Sequence, residues 1–130
     1  MKKMQTNLPI LAVYLFGSSA RKQQRQDSDL DVAVIILDKN NAPLRKIINF
    51  LASYFPVEKL DPVIVDLQNT SPLLLFQIIK EGKLLYEKKK NSHQSLESRI
   101  MRLYFDDEYR QKIFEEYLNK SFEQNTYGHR

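Results

Sequence analysis

Apolar residues along this chain follow two patterns. The first is the continuous run. Ile10 to Phe16 (ILAVYLF) is apolar throughout and rich in residues that suit strands. Asp29 to Ile36 (DLDVAVII) opens on carboxylates and then turns wholly apolar, which predicts a strand buried on both faces. Leu60 to Leu67 is a third strand candidate, and Pro62 near its start predicts a sheet edge or a strand beginning. Leu84-Leu85-Tyr86 reads as a short closing strand.

The second pattern has helical spacing. Leu44, Ile47, Ile48, Leu51 and Phe55 mark one helix, closed by Pro56. Ser71-Pro72 opens another, with Pro in the first turn; it runs to about Lys80 and ends at Gly82 as a C-terminal cap. From Gln94 to about Phe122 the period is helical again, with Asp106-Asp107 expected to divide the stretch into two helices. Glu123 to Arg130 are expected to fray. A short helix is expected over Ala20 to Gln24, after the turn at Gly17-Ser18-Ser19. This order predicts an α/β (α+β) fold, a mixed sheet flanked by helices. The domain is expected to occupy residues 1–87. A C-terminal helical tail, 88–130, would pack on it or on a partner.

Composition narrows the chemistry. The 130 residues suit one domain, and 42% hydrophobic with 28% charged residues fits a soluble globular protein. No apolar run is long enough for a membrane span. The apolar stretch from Leu8 leads into Gly17-Ser18, unlike a typical cleavage site, so we read it as a strand and not a signal peptide; a cytoplasmic location follows as the default. There is no cysteine and only two histidines, His93 and His129, which argues against zinc. A metal here would be held by oxygen, favouring Mg²⁺ or Mn²⁺. The net charge of +4 permits an anionic partner such as a nucleotide without demanding one.

The informative stretch is Gly17-Ser18, ten intervening residues, then Asp29-Leu30-Asp31. Two carboxylates two apart on a strand point to one face. They repel unless a cation neutralises them, and together they can hold one or two divalent ions. Gly17 lets the backbone approach a ligand, and Ser18 at a helix start offers N–H groups and a hydroxyl to phosphate. A phosphate cradle beside a metal clamp is what nucleotidyl transfer requires.

These residues resemble the signature of the polymerase β-type nucleotidyltransferases, and more narrowly the minimal nucleotidyltransferase (MNT) domain. The resemblance extends from about Ile10 to Glu87, including Val65 to Pro72 and Glu81 to Tyr86. It implies a third carboxylate on a later strand, as base or metal ligand. Asp61 and Asp66 are the candidates; being five apart they face opposite ways on a regular strand, so only one can join the pair. Asp61 is favoured by its distance from the first pair, which leaves Asp66 to cap the Gln68-to-Ser71 turn. The resemblance also suggests Arg21 as a phosphate contact, although Lys22 stands where relatives commonly have Gly. Relatives often begin with a helix before the first strand, and nine residues leave little room for one here.

Short stand-alone members resemble antitoxins paired with a HEPN-domain ribonuclease toxin. That implies transfer of AMP from ATP to a tyrosine of the toxin, in a hetero-oligomer. The expected site is thus Asp29, Asp31 and Asp61 as catalytic and metal-binding residues, with Gly17, Ser18 and Arg21 on the nucleotide. The competing reading is a binding module that neutralises its partner by burial, using the aromatic-rich tail (Tyr104, Phe105, Tyr109, Phe114, Tyr117, Phe122). Direct nucleic-acid binding fits least, because no aromatic-basic motif accompanies the Lys88-Lys89-Lys90 run.

Overall fold

The computed structural model describes residues 4–17 and 29–128, with side chains as far as Lys120. Ser18, Arg21 and the short helix expected over Ala20 to Gln24 lie outside the described residues.

Strands β1 (Ile10–Phe16) and β2 (Leu30–Ile36) are followed by helix α1 (Leu44–Ala52), strand β3 (Leu60–Asp66), helix α2 (Pro72–Glu81), strand β4 (Lys83–Glu87) and helix α3 (Ser92–Gly128). The sheet order is β3-β2-β1-β4. β1 pairs antiparallel with both β2 and β4, whereas β2 and β3 run parallel. β2 is central, and Val32 to Ile36 are fully buried, as a strand apolar at every position requires. β3 is an edge strand, where Pro62 costs the sheet no ladder bond on the open side.

Two cores form, one on each face. Val32, Val34 and Ile36 pack with Ile47 and Leu51 of α1, and Met4 of the N-terminal segment is buried among them. Ala33 and Ile35 face the other way, against Leu75 and Ile78 of α2 and Ile100 of α3. A bulge between Ile10 and Ala12 shifts the alternation of β1, which lets Ile10 and Val13 share the α1 face while Ala12 and Tyr14 share the α2 face.

α2 begins at Pro72 in its first turn and is capped by Gly82. Gly82 is extended (φ −79°, ψ 154°) and not left-handed. Glycine is needed there because an added Cβ would lie 3.2 Å from the Tyr14 side chain and against the Ile78 carbonyl. Tyr14 itself is buried, and its hydroxyl donates to Glu97 at 2.6 Å, tying the sheet to α3. Burial and the neighbouring carboxylate raise its pKa.

α3 corrects two expectations. It is one helix of 37 residues, unbroken at Asp106-Asp107 and continuing past Glu123 to Gly128. No Gly or Pro falls between Ser92 and Tyr127 to release the backbone. Side-chain bonds one turn apart bracket the aspartates: Tyr104 donates to Glu108 at 2.5 Å and Gln111 donates to Asp107 at 3.1 Å. Among the residues whose side chains are described, the first part of α3 packs on the domain, through Leu96, Ile100 and the Tyr104 ring stacked on Phe76 at 4.1 Å. Beyond it, Tyr109, Ile113, Phe114, Tyr117 and Leu118 are exposed.

Candidate active site

Three chain segments meet at one end of the sheet: the end of β1 and the beginnings of β2 and β3. Antiparallel pairing sets Phe16 opposite Asp31, and parallel pairing sets Asp61 opposite Asp31 on its other side. Directly opposed residues share a sheet face, so Phe16, Asp31 and Asp61 all lie on the α2 side. Asp29 stands two residues before Asp31 and is exposed. A regular strand alternation gives it the same face.

Asp31 is half-buried, and four effects raise its pKa. Burial contributes most, then a hydrogen bond with the Asp61 carboxyl and the charge of Asp61, then the charge of Asp29. A divalent cation would resolve the repulsion of these like charges.

Gly17 closes the site from β1. Its φ is +68°, in the left-handed region where a side chain is strained. A Cβ there would also collide with the Asp31 carboxylate. The glycine therefore brings main chain against a carboxylate oxygen, and no other residue type does so without displacing Asp31.

Asp66 sits at the opposite end of β3 and contributes nothing to this cluster. It is fully buried and accepts from the Lys39 N–H at 2.7 Å, the Asn69 N–H at 2.7 Å and the Asn69 Nδ2 at 3.0 Å. These donors, led by the Asn69 amide, hold its pKa below the usual carboxylate range. The Thr70 hydroxyl closes the same turn by accepting from the Asp66 N–H at 3.1 Å.

The donor chemistry around Asp31 fits a hard divalent cation: carboxylate oxygens whose mutual repulsion such an ion would cancel. Among the described residues no three acidic or histidine side chains enclose an ion as they stand. The fit rests on the converging Asp31–Asp61 pair, with Asp29 beside it. A cavity of about 610 Å³ lies elsewhere, lined by Met4, Thr6, Leu85, Tyr86 and Lys88, and includes none of these carboxylates. Among the described residues no helix is long and apolar enough to cross a membrane.

The sequence alone did not single out Phe16, whose only signal is that it is the last apolar residue before Gly17. The expected joining of Asp61 to the first pair is seen as a direct register pairing with Asp31, which parallel pairing sets without any local trace in the sequence.

Residues 1–91 match the family profile described as polymerase beta, nucleotidyltransferase. The chain belongs to this nucleotidyltransferase family. The protein adenylyltransferase MntA of Shewanella oneidensis is 34% identical over 88 residues, which cover 66% of this chain and 61% of that relative. The match thus spans less than two thirds of the relative's length.

Among solved structures, a toxin–antitoxin complex with AMP-PNP contains a chain similar at a TM-score of 0.58 and 27% identity, over 85% of this chain and 87% of that one. A structure of a tri-AMPylated Shewanella oneidensis HEPN toxin with its MNT antitoxin matches at a TM-score of 0.53 and 23% identity, over 85% and 84%. That likeness is one of fold. The mixed sheet with flanking helices and a C-terminal helix is the nucleotidyltransferase fold of these structures. Within this nucleotidyltransferase domain, the Asp31 cluster is the place where the carboxylates meet the left-handed glycine.

Proposed function

We propose that this protein is a Mg²⁺-dependent antitoxin that transfers AMP from ATP to a tyrosine hydroxyl of a partner HEPN ribonuclease toxin. The observation that carries the reading is the facing of Asp31 and Asp61 across β2 and β3, beside Gly17 at positive φ. The adenylyltransferase named above supports AMP as the group transferred. The complex with AMP-PNP supports ATP as co-substrate and a toxin as partner. We place the catalytic unit in residues 1–87 and the helical tail in 88–130.

In this reading Asp29, Asp31 and Asp61 hold Mg²⁺, or Mn²⁺ in its place. The bound ion supplies charge stabilisation at the phosphate oxygens. Gly17 and Ser18 offer main-chain and hydroxyl groups to the polyphosphate, and Arg21 adds a cation to it. Phe16 forms an apolar wall beside Asp31. The partner's hydroxyl oxygen attacks the α-phosphorus; the new O–P bond forms as the bond to the β-phosphate oxygen breaks, and pyrophosphate leaves. Asp61 accepts the proton of the attacking hydroxyl.

The test combines the purified protein with Mg²⁺ and α-labelled ATP, with and without the HEPN partner. Label should appear on the partner and disappear with Asp29→Asn/Asp31→Asn, while the variant keeps its circular dichroism spectrum. Tight binding of a folded pair with no label would sink the enzymatic reading and leave neutralisation by burial.

A further inference from the structure

The far half of α3 carries a face that the domain does not use. Asp106, Tyr109, Arg110, Ile113, Glu116, Tyr117 and Lys120 are spaced three and four apart and so share one side of the helix. At about 100° per residue, that side lies across the axis from the one through Ile100, which is buried. All seven residues are exposed, with Tyr109 at 66%, Ile113 at 48% and Tyr117 at 65%. None of Asp106, Arg110, Glu116 or Lys120 forms an ion pair with a described residue.

The order of these residues is self-complementary about Ile113. Three residues before it stands Arg110, and three after it Glu116. Seven before it stands Asp106, and seven after it Lys120. Four before and four after stand Tyr109 and Tyr117. Two such helices laid antiparallel, with a two-fold axis at Ile113, bring each Arg110 to the partner's Glu116 and each Asp106 to the partner's Lys120. The tyrosines meet each other, and Ile113 meets its own copy. A parallel pair would instead set each charge beside its like, which is repulsive.

We propose that α3 is a homodimerisation element, and that a second copy of this chain covers this face in an antiparallel helix pair centred on Ile113. The charge pattern selects the copy and its direction, while Tyr109, Ile113 and Tyr117 supply the apolar seam. A two-fold interface requires one surface that complements itself, which this face does. The element lies outside the carboxylate site, so the proposal does not rest on the catalytic reading.

The experiment is sedimentation velocity on the purified full chain, without any toxin, across a concentration series. A dimer that dissociates on dilution is expected. Arg110→Glu should raise the dissociation constant about tenfold or more, because each dimer then holds two repelling pairs. Glu116→Arg should do the same, and the double exchange Arg110→Glu/Glu116→Arg should restore dimerisation. The chain has no cysteine, so direction can be read by oxidation. Ile113→Cys should form a disulfide with its own copy, whereas Tyr109→Cys should not do so alone and should cross-link with Tyr117→Cys when the two variants are mixed. A chain that stays monomeric throughout the series would overturn the proposal, as would single and double charge exchanges of equal effect. Self-linking by Tyr109→Cys would overturn the antiparallel arrangement.

Discussion

β3 carries an aspartate at each end, and the two are handled in opposite ways. Asp66 is sealed from solvent within its turn, with three donors aimed at its oxygens, and its pKa is lowered. Asp61, at the site end, faces another carboxylate, Asp31, whose pKa is raised by its burial first and then by Asp61. One end of the strand has settled its charge with local donors. The other holds like charges together, an arrangement that costs stability unless something positive arrives. The two ends thus differ in what faces each carboxylate: hydrogen-bond donors at Asp66, a second carboxylate at Asp31.

The largest effect that would test this contrast is on transfer. Asp31→Asn should lower AMP transfer on the order of 10²–10³-fold in the labelled-ATP assay, with melting temperature unchanged or higher. A fall in melting temperature with transfer intact would reverse the assignment of the two ends.

Asp66→Ala should do the opposite. It strands the Lys39 and Asn69 donors and should cost about 3 kcal/mol in urea unfolding. The fraction that stays folded should keep its transfer rate.

Gly17→Ala lies between the two. Left-handed backbone costs a non-glycine residue about 1–2 kcal/mol, and the new methyl group would displace Asp31. Both melting temperature and transfer should fall, the latter about tenfold.

The smallest effect is on pH dependence. Asp66 has a lowered folded pKa, so the unfolded chain binds its proton more readily. Its stabilisation is present above about pH 3.8 and is lost as pH falls through the folded value. Asp31 has a raised folded pKa, so the folded chain binds the proton more tightly. Stability is lost as pH rises from about 3.8 through the folded value. Thermal melts across acid pH should lose the first limb with Asp66→Asn and the second with Asp31→Asn. Mg²⁺ should raise the neutral-pH melting temperature of the wild-type chain more than that of Asp31→Asn.

Much of this architecture was legible in the sequence. The run from Ile10 to Phe16, the apolar half of β2 and the spacing from Leu44 to Leu51 each announce their elements through burial, which is a local property of the pattern. Pro62 announced a sheet edge or a strand beginning because it lacks a donor, and β3 is an edge. Less was legible wherever the cause was distant. The facing of Asp31 and Asp61 depends on parallel pairing between strands separated by a whole helix. Gly82 is the helix cap its sequence position announces and lies against the local Ile78 carbonyl, but its packing against Tyr14, a residue far away in sequence, left no sign. Asp106-Asp107 read as a break because aspartate favours helix starts. The helix continues because nothing nearby releases the backbone and side-chain bonds bridge the pair.

The parallel strands β2 and β3 have no hairpin to align them, and slippage by one residue would turn Asp61 to the opposite face of the sheet. Asp66 grips the N–H of Lys39, just beyond the end of β2, and that of Asn69, just beyond the end of β3. It therefore acts as a rivet through both strand ends. The phase set there carries along β3 to Asp61, so that the alignment of one carboxylate with Asp31 is gauged by another at the far end of the strand.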